Sequence, residues 1–167
     1  MKVFVKTHES LIDTALLLLR LALGVVFFAH GAQKVLGLFG GKGLGTTVSM
    51  MSGTFGPVLP YLTAFTEFLG GIFMIFGLLT RFWGIGLTIN MLVAVIAVHA
   101  KNGFFAPTGF EFPLSLLFIA LAITIAGPGR FSLDHAFFAS NTTATKRSER
   151  FAVPAGSVQF KPHAKSA

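Results

Sequence analysis

The hydrophobic pattern along the chain resolves into four long apolar segments, Thr14–Leu36, Val58–Leu79, Phe82–Ala100 and Phe112–Ala126. A membrane-spanning helix needs about 20 predominantly apolar residues, with a working range of about 17–25. The first three meet that length. The fourth would be only about 22 Å long as a helix and needs an earlier start or a locally thinned bilayer. Backbone breakers sit at the limits. Gly56-Pro57 and Pro60 open the second segment, Pro113 suits the first turn of the fourth, and Gly127-Pro128-Gly129 closes it. Glu111 precedes Pro113, where a helix N-terminus favours negative charge. The glycine-rich stretch 37–57 reads as a loop, with a short interfacial helix over Thr46–Ser52.

The polar residues that interrupt this pattern carry most of the information. Arg20 follows four leucines, Glu67 sits in the middle of the second run, and His30, Lys34 and Asn90 are placed similarly. A charge at bilayer depth costs at least about 2.5 kcal/mol, so it needs a partner, a cavity or a function. At helical spacing the first segment aligns Arg20, Gly24, Phe27, Gly31 and Lys34, with His30 at the edge of the stripe. The second aligns Thr63, Glu67, Gly70, Gly71 and Met74. The third aligns Trp83, Gly86, Asn90, Ala94, Ala97 and Lys101. Each polar face is also a small-residue face, as close helix packing in lipid requires.

Depth along the helices suggests two layers. His30 falls about 9 Å and Glu67 about 14 Å from one boundary, which makes them neighbours. Arg20 falls about 9 Å and Asn90 about 12 Å from the other, so these two share a second layer, and Arg20 is long enough to climb toward Glu67. His99, Lys101, Asn102 and Glu111 gather at the mouth beyond the His30–Glu67 layer. The cluster reads in two ways: as a satisfied network that fixes helix register, or as a polar cavity for a proton, an anion or a quinone headgroup.

Composition places the chain among integral membrane proteins. Of 167 residues only 11% are charged and 53% are hydrophobic, and the mean hydropathy is +0.77, against about 25% charged in soluble domains. The net charge of +7 is concentrated toward the termini and indicates membrane orientation, not nucleic-acid binding. Nine basic residues (Lys2, Lys6, Arg81, Arg130, Lys146, Arg147, Arg150, Lys161 and Lys165) fall on the side of the termini. Three, Lys34, Lys42 and Lys101, fall on the other. Both termini are therefore expected in the cytoplasm. The expected organisation is an N-terminal cytoplasmic segment over 1–13, a four-span all-α bundle over 14–135 and a basic, disordered cytoplasmic tail over 136–167. Arg20 and an overlong apolar run argue against a cleaved signal peptide at the N-terminus.

Several chemistries are excluded or disfavoured. Without cysteine there is no thiolate nucleophile, no dithiol exchange and no cysteine-ligated cluster within this chain. No Glu-x-x-His pair exists for a di-iron centre: Glu9, Glu67 and Glu111 are followed three residues later by Ile12, Gly70 and Leu114. No metal site is expected. Haem between His30 and His99 is disfavoured, because regular helical spacing puts His99 opposite Asn90. Gly40-Gly41-Lys42-Gly43 lacks the spacing and setting of a phosphate loop.

In order along the chain stand Leu19-Arg20-Leu21-Ala22-Leu23-Gly24, His30-Gly31-Ala32-Gln33-Lys34, Glu67-Phe68-Leu69-Gly70-Gly71 and Gly77-Leu78-Leu79-Thr80-Arg81. They are followed by Lys101-Asn102-Gly103-Phe104, Glu111-Phe112-Pro113-Leu114, Gly127-Pro128-Gly129 and Ser132-Leu133-Asp134. This pattern, over residues 11–135, resembles the bacterial DoxX family. The resemblance implies a four-helix, multi-pass protein of the bacterial inner membrane. It implies an oxidoreductase association, with relatives that include a subunit of thiosulfate:quinone oxidoreductase and members linked to oxidative-stress and thiol-redox partners. Arg20, His30, Lys34, Glu67, Arg81, Asn102 and Glu111 are the matching polar positions, and the match assigns no catalytic role to any of them. The expected function is a redox-associated subunit handling a quinone or small anion, in which Glu67 and His30 handle protons and Arg20 supplies fixed charge. A scaffold that recruits a soluble redox partner and a small transporter are the alternatives. The lipid bilayer is the expected partner, and a soluble redox partner and homo- or hetero-oligomers are compatible with the pattern.

Overall fold

The computed structural model describes residues 2–105 and 107–138, so most of the 136–167 tail lies outside it. The described residues are helical, without strands. Helix α1 spans Lys2–Val35, α2 Gly43–Phe55, α3 Leu59–Phe76, α4 Thr80–Val93 and α5 Glu111–Ala126. Helix α4 runs on through a π-helical segment, Ala94–His99, and a 3-10 turn, Ala100–Asn102. Three helical stretches, Glu9–Val35, Leu59–Phe76 and Thr80–Asn102, are long and apolar enough to cross a membrane. Helix α5 is apolar but shorter, at 16 residues.

Helix α1 lies along α3 and α4 along α5, while α2 packs beside α1 and α3. Their shared core contains Leu23, Phe27, Met74, Leu87, Met91, Leu116, Ala120 and Ile123. Outward-facing Val25, Phe82, Ile85, Ile89, Phe118 and Ile125 are exposed, the reverse of a soluble protein and the arrangement that lipid contact requires. The α1–α3 contact is close because it is made through glycines. A Cβ on Gly31 would strike the backbone of Phe68, and one on Gly71 the backbone of Phe28.

The turn between α3 and α4 is built by its own residues and by the far end of the chain. Gly77 closes α3 in the left-handed region at φ 67°, with its N–H on the Met74 carbonyl and that of Leu78 on the Phe73 carbonyl. Leu79 then also adopts φ 51°, which is costly for a side chain of its size. Asp134 holds it there. Its two carboxylate oxygens accept the N–H groups of Leu79 at 2.7 Å and Thr80 at 2.8 Å, and its own N–H donates to the Gly77 carbonyl. Asp134 thus caps α4 from 54 residues away in sequence. Replacing it by alanine is expected to cost about 1–2 kcal/mol, the upper range for a lost N-cap, because strain at Leu79 is then uncompensated. Thermal unfolding in detergent, with Asp134→Asn as the milder comparison, measures this.

Candidate functional site

The polar residues form two groups at opposite ends of the helices. At the end carrying the α3–α4 turn, Arg20 is completely buried. Its Nη2 donates to the Phe131 carbonyl, its guanidinium lies under Gly77 with no room for a Cβ, and Asp134 faces it electrostatically. Asp13, also buried, accepts the Arg130 N–H at 2.9 Å. Residues 129–134 are therefore tied to α1 by two hydrogen bonds and, through Asp134, to the α3–α4 turn by three. This group binds the chain to itself. Arg20 neither joins Asn90 nor reaches Glu67, because the carbonyl of Phe131 and the carboxylate of Asp134 take its charge at its own depth.

The second group centres on Glu67, buried on α3 at 3% exposure. One carboxylate oxygen is paired with the Lys34 ammonium from α1. The other accepts the Asn90 side-chain amide from α4 at 3.0 Å. Three helices thus converge on one carboxylate. Asn90 belongs to this layer and not to that of Arg20: its amide is bonded to Glu67, while Arg20 is bonded to the Phe131 carbonyl. Lys34, at the end of the α1 stripe that carries Arg20, is part of the ion pair. Its stem can run back along α1 as an amphipathic side chain does.

Two clefts flank this cluster. One, of about 310 Å³, lies between α3 and α4 beneath α2, and is lined by Met50, Met51, Phe55, Thr63 and Val93 with Asn90. The other, of about 290 Å³, lies among α1, α4 and α5, and is lined by Phe27, His30, Met91, Phe112 and Leu116. Lys34, Glu67, Ala94 and His99 line both. Each is near the lower limit of small-molecule pockets, about 300 Å³. His30 is exposed, and its ring lies 6.5 Å from that of Phe112 between centroids, so it shares the second cleft with Glu67.

His99 is placed by the π-helical segment. Nine residues of regular α-helix make about two and a half turns and put His99 opposite Asn90. A π-turn bonds i to i+5 and so takes an extra residue to come round. With Ala94–His99 in that form, His99 lines the same cleft as Asn90. Its Nδ1 lies 2.8 Å from the Thr108 carbonyl, which also accepts the Asn102 side-chain amide at 3.1 Å. Lys101 is exposed, outside both clefts. Glu111 starts α5 with its N–H on the Phe104 carbonyl, and it lines neither cleft. No group of His, Asp and Glu among the described residues could hold a metal ion.

Asp13 and Asp134, which hold the chain to itself, are the polar positions hardest to find from sequence. Asp13 has one local signal, a carboxylate at the head of the first apolar run. Asp134 stands in the Ser132-Leu133-Asp134 motif, but nothing local shows that its partners lie beyond Gly77.

The DoxX family model matches residues 15–100. The chain is 33% identical over 108 residues to "Putative oxidoreductase CatD" of Bacillus subtilis, covering 65% of this chain and 77% of that protein. It is also 36% identical over 70 residues to an "Uncharacterized protein" of Haemophilus influenzae, covering 41% of this chain and 46% of that protein. No solved structure matches significantly. The family match begins on α1 just before Arg20 and takes in Lys34, Glu67, Asn90 and His99. With the CatD similarity running through most of that protein, the chain belongs to the DoxX family.

Proposed function

We propose that this protein is a redox-associated subunit of the bacterial inner membrane that binds a quinone headgroup at the Lys34–Glu67–Asn90 cluster. The observation that carries the reading is the buried Glu67, held by a lysine and an asparagine from two other helices and flanked by two clefts of headgroup size. Ionisable residues at membrane depth are rare, pair with one another, and by default mark a ligand or proton site. The cleft beneath α2 has apolar walls suited to an isoprenoid-bearing ring. Lys34 retains donors beyond its bond to Glu67 and supplies the hydrogen bonds a quinone carbonyl needs. The name of the Bacillus subtilis relative supports a redox setting.

In this reading residues 14–135 are the transmembrane domain, with four spans and both termini in the cytoplasm, and 136–167 form a basic cytoplasmic tail. The basic residues clustered toward the termini support that orientation. Helix α5 spans about 24 Å, short of a hydrocarbon core of about 30 Å, and is accommodated by local thinning. The cluster then faces the periplasmic half.

Native mass spectrometry of the detergent-purified full chain tests the proposal. A quinone is expected to co-purify with the native protein and to be lost from Lys34→Met. Absence of quinone, together with unchanged sulfur-compound oxidation by membranes carrying Glu67→Gln, would overturn it. A scaffold role is the second reading, favoured by the full occupancy of Glu67 by internal partners. A soluble redox protein that still co-purifies after replacement of both Glu67 and His30 would support that reading instead.

A further inference from the structure

His99 is in an unusual position for a residue at a helix end. It closes the π-helical segment, lines both clefts, and has its Nδ1 on a backbone carbonyl. A carbonyl only accepts, so Nδ1 must carry the hydrogen. In the neutral ring Nε2 is then the lone-pair nitrogen, and it has no partner among the described residues. The other ionisable groups of the clefts are differently placed. Both Glu67 oxygens are engaged, Lys34 is the cation that engages one of them, and His30 has no hydrogen bond among the described residues to fix its tautomer. From α5 the second cleft receives Phe112, Pro113 and Leu116, with no ionisable group. The Thr108 carbonyl holds His99 and Asn102 together and so sets the ring.

We propose that His99 Nε2 is the proton acceptor of this site, and that the site therefore takes the hydroxyl-bearing, reduced form of its ligand, a quinol. The inference rests on the quinone reading above and adds the ligand's state and the group that receives its proton. The quinol O–H donates to Nε2. When the proton transfers, the O–H bond breaks and an Nε2–H bond forms. The ring becomes imidazolium with Nδ1–H still on Thr108, and the ligand becomes an oxyanion facing the Lys34 ammonium. No electron moves in this step. The π-turn is what makes it possible, because a regular helix would carry the ring away from the cleft that holds Asn90.

The test uses the full chain in lipid nanodiscs with 15N-labelled histidine, His99 being assigned by its loss in His99→Asn. Asparagine keeps a donor where Nδ1 stands and removes the acceptor at Nε2, so the loop bond to Thr108 survives. In the neutral ring the His99 signals are expected to show hydrogen on Nδ1. Decylubiquinol is expected to shift the Nε2 resonance, and decylubiquinone to leave it in place. His99→Asn is expected to weaken decylubiquinol binding at least tenfold, to leave decylubiquinone binding within twofold, and to keep the thermal midpoint of the native protein. Hydrogen on Nε2, or equal weakening of both probes, overturns the inference while the quinone reading stands. Failure of both probes to bind the native chain overturns the quinone reading and the inference with it.

Discussion

Glu67→Gln is expected to destabilise the protein by about 2–3 kcal/mol, below the 3–5 of a fully buried pair because Lys34 keeps 29% of its side chain exposed. Glutamine preserves shape and still accepts the Asn90 amide. What it removes is the negative charge that compensates the Lys34 ammonium, which then lies half-buried beside an apolar cleft. A double-mutant cycle separates this from general damage. Lys34→Met added to Glu67→Gln removes the uncompensated charge, so the double variant is expected to recover at least half of the loss. Chemical denaturation in detergent reads all four corners. Additive losses would mean that the pair contributes no coupling and that Glu67 is held mainly by Asn90.

Gly31→Ala should have an effect of comparable size by a different route. The new methyl would fall on the backbone of Phe68, and backbone has no rotamer by which to yield. Helices α1 and α3 must separate, at a cost in the overpacking range of about 1–3 kcal/mol. Gly71→Ala meets the backbone of Phe28 across the same contact, so the two substitutions are expected to be less than additive, since one separation relieves both. Because Lys34 and Glu67 face each other across this contact, Gly31→Ala is also expected to weaken the quinone binding proposed for this site. Gly53→Ala, where a Cβ meets open space on α2, is the control expected to cause no destabilisation and no loss of binding. Unchanged stability in Gly31→Ala would show that the helices do not approach through these glycines.

Much of the candidate site was legible because membrane helices obey strong local rules. A charge within an apolar run has few inexpensive positions, and the small residues around Arg20, Glu67 and Asn90 point to the buried face. Asn90 illustrates the limit. Its face was predictable and its partner was not. Counting residues from assumed boundaries placed it with Arg20, whereas its amide donates to Glu67. Lys34 stands on the predicted stripe, but only the packed helices show its ammonium paired with the buried Glu67. His99 shows a third kind of limit. Its offset from Asn90 followed from α-helical geometry, and the π-helical segment breaks that geometry with no sequence signature in Ala-Val-Ile-Ala-Val-His.

The sequence by itself determined the apolar helices, their glycine and proline limits, the inward faces and the residue types available for chemistry. These follow from interactions within a few residues, where desolvation of backbone and charge dominates. Only the tertiary structure decided which polar groups meet. It paired Glu67 with Lys34 and Asn90, turned His99 into the clefts, and brought Asp134 back over 54 residues to cap α4. Those choices depend on helix tilt, stagger and local winding. They are set by how the whole set of side chains packs at once, because a shift of a few ångströms is enough to exchange one hydrogen-bond partner for another.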